Sequence, residues 1–447
     1  MASNILKTKV LIASSLIACL ELPLLVSCTT SQSGEKDIRK IAEINQTEIA
    51  KGDRTIALVG ARLIDGLGND PVNNATVIVD GAHIAYAGPS DDAPVPDDAE
   101  RIDVSGLTLL PGLMDAHFHN EQSTTLAADF LARGITSVRD PGAWIEAFEG
   151  ARRAGRPLPR LFLTGPHIDM APPAYPDNSY IVHDPEEARL AVDKFYNQGA
   201  SAIKVYFRLP VGVIQSICER ADEYGIPVTG HLEITNARDA INVGLNGIEH
   251  VTSFGTCLVP ARQAEEFRQK VLAENSARRQ GRYQLWSTLN LNDNPAIDSL
   301  FAFLVDKGTY VCPTLATFER RSDRGDSTQV RGFANMLAFV GLAYKAGVTQ
   351  VIGSHSWGPY GGEGYAYFRE MELFQEAGMP PIDIIKAATI LNARFFRVED
   401  RLGSIEAGKL ADLILVEGDP LSDIAHMRNV RRIMVNGVWI PVEGQER

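Results

Sequence analysis

The feature that most constrains this chain is a rhythm in its middle. Short apolar runs recur there: LTLLPGLMDA, GITSVRD, RLFLTG, AIKVYF, IPVTGH, GIEHV, YVCPTL and VTQVIGS. Amphipathic stretches such as DPEEARLAVDKFYNQG and VGVIQSICERADEYG lie between them. Runs this short read as strands, and the stretches between them have helical length and period. Eight strands alternating with helices predict an α/β fold, a (β/α)8 TIM-like barrel over residues 110–398. One connection breaks the rhythm. Residues 260–296 contain the charged insertion ARQAEEFRQKVLAENSARRQGRYQLWSTLNLNDNP, too long for a simple loop. It reads equally as a helical lid or contact surface, or as a solvated helix pair.

The two ends have another texture. Residues 55–109 alternate β-rich runs with Gly, Asn and Asp turns, and ADLILVEGDP and VRRIMVNGVWIPV in residues 399–447 repeat the pattern. Both chain ends are therefore expected to build one small β-sandwich domain around the barrel. At the N-terminus, MASNILKTK precedes the apolar run VLIASSLIACLELPLLVSC. Glu21 and Pro23 interrupt that run, so it is too broken for a membrane span and reads as an export signal. LIAC and LVSC resemble lipoprotein signal-peptidase boxes. Cys28 is favoured over Cys19, because TTSQSGEKD follows it as a tether. Residues 1–28 are thus expected to be a lipoprotein-type signal peptide and 29–54 a polar linker. That would make the protein an exported periplasmic or cell-envelope lipoprotein, meeting a membrane only through its lipid. A plain secretory signal is the competing reading.

A formal charge of −13 leaves no basic excess to release counterions, which argues against a nucleic-acid partner. The small number of cysteines, with no CxxC pair, suggests buried packing for Cys218, Cys257 and Cys312 rather than a disulfide framework. The partner expected is a small-molecule substrate, and self-association into a homo-oligomer is left open.

Nine histidines occur in the chain, few enough to place individually. His117 and His119 in MDAHFH end the first barrel strand, where positions i and i+2 share a face. Lys204 in AIKVYF sits among apolar residues, where an ammonium is costly unless paired or modified. His231 ends IPVTGH, and His250 lies in GIEHV. Barrel active sites gather at the C-terminal ends of strands, so these residues converge on one mouth and together suggest a metal site. Arg139 and Asp140 either face that mouth or form a structural ion pair. His167 in TGPHIDM is a candidate for lining the pocket. His83, His183 and His426 lie outside the pattern.

LPGLMDAHFH, GITSVRD, GASAIKVY, TGHLE, GIEHVT, PPIDIIKAATILNARFF and LGSIEAGKLADLILVEGDPL together resemble the amidohydrolase superfamily, in its imidazolonepropionase-like and metal-dependent prolidase-like branch. The resemblance runs from about Thr55 to the C-terminus. It implies two divalent ions of the zinc kind, with His117 and His119 on one and His231 and His250 on the other. It also implies that Lys204 is carboxylated to a bridging carbamate and that Tyr206 contacts substrate or the developing oxyanion.

The stretch VIGSHSW departs from that pattern. The superfamily carries an aspartate at the end of the eighth strand that touches a metal and shuttles the proton, and here His355 stands in its place. His355 is then a ligand or base, or it binds while a carboxylate such as Glu363 takes the proton, or it cripples the site. The function expected is metal-dependent hydrolysis of an amide or peptide-like bond, with metal-activated water attacking a polarised carbonyl; the resemblance implies a dipeptide or N-acyl amino acid with a free carboxylate as substrate. The alternatives are a catalytically silent metal- or ligand-binding lipoprotein, and a deaminase or lactonase using the same centre.

Overall fold

A computed structural model describes residues 39–292, 294–362 and 364–441. The export signal with Cys19 and Cys28, the tether TTSQSGEKD, and Glu363 lie outside the described residues. Strands β1 (Thr55–Leu63), β2 (Val72–Asp80), β3 (His83–Pro89), β4 (Glu100–Asp103) and β5 (Leu107–Pro111) open the described fold. The β2–β3 hairpin turns on Gly81 and Ala82 between the paired residues Asp80 and His83. Gly81 has φ 58°, the left-handed conformation that such tight connections require.

The central strands follow: β6 (Leu113–Asp115), β7 (Ile135–Asp140), β8 (Arg160–Leu163), β9 (His167–Asp169), β10 (Ser179–Ile181), β11 (Ile203–Val205), β12 (Val228–Gly230), β13 (Gly247–Glu249) and β14 (Tyr310–Cys312). Strands β15 (Leu413–Glu417), β16 (Val430–Val435) and β17 (Val438–Trp439) complete the described set. The terminal strands form one sheet in the order β17-β16-β15-β5-β1-β2-β3, with β4 also on β1. Leu58, Val77, Ile84, Leu109, Leu413 and Leu415 share its core, so both chain ends meet as expected. The sheet is mixed, because β4 and β5 run parallel to β1.

The central strands pair in parallel, β6-β7-β8 in one sheet and β10-β9-β11-β12-β13-β14 in another. Backbone bonds continue between them. Ser201 N donates to Leu163 O at 2.8 Å, Val351 N to Val311 O at 3.0 Å, and Ala116 N to Ile352 O at 2.9 Å. Residues 349–352 thus run between β14 and β6, as the eighth apolar run was expected to do. The arrangement is barrel-like α/β, with helices between strands. The helix Pro185–Asn197 illustrates why they form. Asp184 caps it by accepting from Glu187 N, Pro185 starts it, and Ala188, Ala191, Val192 and Phe195 bury one face.

Two expected boundaries need correction. The run LTLLPGLMDA divides at Gly112, with β5 in the terminal sheet and β6 among the central strands. A Cβ at Gly112 would meet Thr136 Oγ1 at 2.2 Å, so only glycine lets the chain cross there. The second concerns the linker: the described residues of 29–54 are not a free tether. Ile44 N donates to Leu161 O, and Asn45 Nδ2 to Pro159 O. Glu43 is buried against Arg160, which also forks onto Asp412 at 2.7 and 2.9 Å. A polar segment can bury only when its charges are met, and these partners come from distant parts of the chain.

Candidate metal centre

Every metal candidate singled out in the sequence lies at a strand end or inside a strand, and the fold brings them together. His117 and His119 follow β6, Lys204 lies in β11, and His231 and His250 follow β12 and β13. His355 follows residues 349–352. His250 and His355 have φ of 68° and 59°, a conformation uncommon outside glycine that concentrates at functional sites. Backbone bonds hold both in place: His250 N donates to Cys312 O at 2.8 Å and His355 N to His117 O at 2.6 Å. Asp115 stitches the two strand ends, accepting from His117 N, Ser354 N and Ser354 Oγ. Ser356 Oγ accepts from His119 N at 2.8 Å. Gly353 leaves no room for a side chain, since a Cβ would lie 2.4 Å from Cys312 Sγ and 2.7 Å from His117 Cβ.

The rings form a chain around one space. His117 and His250 are 4.5 Å apart between centroids, and His250 and His231 are 4.4 Å apart. His355 stacks on His117 at 5.1 Å with 14° between planes and meets His119 edge-on at 4.7 Å. His117, His119 and His355 each offer a nitrogen, and these nitrogens all lie within 4.8 Å of one another.

The outer nitrogens are tied back. His117 Nδ1 is 2.6 Å from Glu249 Oε2, and His119 Nδ1 is 3.3 Å from Asp140 Oδ1. A carboxylate only accepts, so these nitrogens carry the hydrogens and the Nε2 lone pairs point inward. They meet at 3.1 Å, a geometry satisfied by a shared proton or cation. His250 Nδ1 shares a hydrogen bond of 2.6 Å with Thr314 Oγ1. His231 Nε2 faces Glu233 Oε1 at 3.2 Å, leaving Nδ1 buried and without a partner. His355 Nδ1 is buried without a partner too. Outer atoms anchored on carboxylates and a hydroxyl, with inner lone pairs free, are how metal-binding histidines are oriented. The donor set fits divalent cations.

Burial disfavours the charged form of His117, His231, His250 and His355. It pushes His117, His250 and His355 well below the ordinary value, helped by neighbouring cationic groups. It brings His231 down to about 4 against the opposing pull of Glu233. Burial also lowers the Lys204 ammonium to about 8, although Glu249 favours its charge. A larger neutral fraction makes that amine more available for modification than a free lysine.

Glu249 is the hub beneath the rings. Besides His117 it accepts from Arg139 Nη2 and Thr229 Oγ1, each at 2.7 Å. Arg139 and Asp140 are therefore not each other's partners: Arg139 packs under Phe395 and serves Glu249, while Asp140 lines the cavity beside His119. His183 pairs with Glu187 and His426 with Asp419 O, away from the site.

The mouth opens into a cavity of about 470 Å³, within the range for small-molecule sites. His167 and Tyr206 line it, stacked at 4.4 Å, and burial raises the Tyr206 hydroxyl well above its usual range. Tyr206 thus stays protonated and able to donate. The insertion folds as helices Ala261–Ala273 and Ala277–Ser287, and the second brings Arg278, Arg279 and Arg282 to the lining. Sequence reasoning passed over these arginines, together with Glu233 and Glu249 as partners. For the two carboxylates a signal was present. Glu233 is two residues from His231, and Glu249 is a charge inside an apolar strand. Arg278 and Arg282 are spaced i, i+4 on one helix face.

The amidohydrolase family profile matches residues 108–440. A 5-methylthioadenosine/S-adenosylhomocysteine deaminase of Symbiobacterium thermophilum is 25% identical over 414 residues, covering 78% of this chain and 82% of that protein. Among solved structures, a phenylurea hydrolase B aligns with TM-score 0.69 at 21% identity, over 88% of this chain and 98% of its own. A Xaa-Pro dipeptidase with bound methionine in its active site aligns with TM-score 0.65 at 23% identity, over 86% and 99%. At such identity the structural likeness is one of fold.

Proposed function

The chain belongs to the amidohydrolase family, and on that premise we propose a metal-dependent hydrolase that cleaves the C–N bond of a dipeptide or N-acyl amino acid. The observation that carries this reading is the set of strand-end imidazoles whose outer nitrogens are anchored while the others converge on one cavity. In the same reading the parallel strands close into one eight-stranded barrel, supported by the backbone bonds at Leu163, Val311 and Ile352.

His117, His119, His231 and His250 would hold two divalent ions, zinc being suited to imidazole. When bound, such ions lower the pKa of water and polarise a carbonyl. Lys204 supports a carbamate: its neutral Nζ adds to CO2, an N–C bond forms, one proton leaves, and an anionic oxygen ligand results. Tyr206 donates a hydrogen bond to the carbonyl oxygen as negative charge develops, and His167 holds the phenol ring by stacking.

His355 acts as a third imidazole beside His117 and His119. Its lone pair is then engaged and shuttles no proton. A positioned acid–base group contributes about 10²–10⁴ in rate, so the chain is a slow hydrolase. Export and lipid attachment through Cys28 belong to the same proposal, supported by the apolar run and polar tether of the N-terminus.

The test is elemental analysis with a hydrolysis panel of dipeptides and N-acyl amino acids. One to two divalent ions per chain and cleavage that rises in His355→Asp are expected. Protein that takes up no ion would sink the reading. Ammonia release from purine nucleosides, with no amide cleaved, would replace it by the deaminase reading that the Symbiobacterium relative favours. Radiolabelled palmitate in the exported protein, lost in Cys28→Ala, checks the anchor.

A further inference from the structure

One part of the cavity lining has no role in the hydrolytic chemistry: the arginines of helix Ala277–Ser287, whose charges are poorly matched. Arg278 and Arg282 are one turn apart, with side chains 4% and 15% exposed. Among the described residues Glu233 is the single carboxylate within ion-pair range of either, at 4.0 and 3.9 Å, too far for a hydrogen bond. One of its oxygens already serves His231, and the other has no hydrogen-bond partner. The Nε of each arginine is likewise buried with none.

Aromatic faces fix the guanidinium planes. Arg278 lies over Tyr175 and Phe207 at 5.3 and 5.5 Å, and Arg282 over Phe318 at 4.7 Å. Rings cover the guanidinium faces; the Tyr175 side chain takes one hydrogen bond from Arg278, but the Nε of each arginine stays unpaired, and the fork of an arginine edge matches a carboxylate. Between them Arg278 and Arg282 have one carboxylate in ion-pair range, with Asp169 a further buried carboxylate on the Arg278 side, and cations held from water without close partners are costly. Glu121 and Asp177, which also line the cavity, are exposed and solvated.

We propose that Arg278 and Arg282 form a seat for a free carboxylate of the substrate, so that the site selects acyl amino acids or peptides with an ionised C-terminus over their neutral amides. This inference rests on the hydrolase reading for its substrate but not for its test. Arg278 and Arg282 are specificity residues here: they bind away from the reacting carbonyl.

The experiment measures binding and cleavage separately on the zinc-loaded full chain. The binding probes are N-methanesulfonyl derivatives of leucine, phenylalanine and lysine, whose sulfonamides resist hydrolysis, and the matching carboxamides. Calorimetry should give at least one acid bound tenfold or more tightly than its carboxamide. Arg278→Gln and Arg282→Gln should each erase that preference, with Arg278→Lys in between. A cooperative thermal transition in each variant shows that it is folded. Equal affinity for acid and carboxamide, no binding by any probe, unchanged preference in both Gln variants, or equally tight binding of inorganic phosphate would each overturn the seat. Acid-selective binding that depends on the arginines, with no amide hydrolysed, keeps the seat and removes the hydrolase reading. Hydrolysis without preference for a free carboxylate does the reverse.

Discussion

Two buried polar clusters sit at different ends of the central strands, and they differ in how well their atoms are paired. Beneath the strands, at the start of β8, every guanidinium nitrogen of Arg160 is bonded, to Asp412 through Nε and Nη2 and to Glu43 through Nη1. The other oxygen of Glu43 takes Arg401 at 2.8 Å. At the strands' C-terminal ends, His231 Nδ1, His355 Nδ1, His167 Nδ1 and the Nε atoms of Arg278 and Arg282 are buried without partners. Buried polar atoms are normally satisfied. A cluster paired at all but one of these atoms, Arg401 Nη1, holds a fold together, whereas one with many open atoms keeps valences for something that arrives later.

That contrast can be broken most forcefully at the mouth. Chelating divalent ions should abolish hydrolysis while leaving a cooperative unfolding transition, and zinc should restore activity. If the ions were saturating at a hundred times their dissociation constant, stability should fall by about 2.7 kcal/mol for each ion removed. Collapse of the fold on chelation would erase the distinction. Next in size is Arg160→Met, which leaves Asp412 buried without its cation and Glu43 with Arg401 alone. About 3–5 kcal/mol of stability should go, read by urea unfolding, with metal content per folded molecule unchanged.

Glu249→Gln tests the hub that orients His117. Weakening an orienting partner costs about 10–100-fold in metal affinity, which zinc titration would detect. An unaltered affinity would reduce Glu249 to a structural role shared with Arg139. The smallest effect is on acid sensitivity. Between pH 6.5 and about 4, unfolded His231 carries a proton that the folded residue refuses because it is buried. The unfolded state binds more protons there, so metal-free protein loses stability as pH falls through that window. His231→Gln should flatten this part of the stability curve. A curve of the same slope would mean that the buried imidazoles titrate as though exposed.

Much of the site was legible because its residues are anomalies of local pattern. An H-x-H at a strand end, a lysine among valines and isoleucines, and histidines closing apolar runs stand out against the strands that carry them. His355 was visible as a departure in VIGSHSW, but the direction of its ring was not. Backbone bonds to His117 and the side chain of Asp115 set that direction, and these lie some 240 residues earlier in the chain. The insertion after Pro260 was visible as an insertion only. Charged helices look alike whether they face water or a cavity, so Arg278 and Arg282 were indistinguishable from Arg279.

The alternating strands and helices, the pairing of both ends into one β domain, and the residues able to bind metal follow from sequence alone. Hydrophobic period and side-chain chemistry are local properties, written in consecutive residues. Which valences remain open was decided by the tertiary structure. Whether a buried nitrogen has a partner depends on segments brought together from across the chain: Glu233 and His231 are neighbours, but the helix whose arginines face them comes from beyond Pro260. The same logic separates Arg160, fully paired by residues 43 and 412, from Arg278, held between aromatic rings with its Nε unpaired.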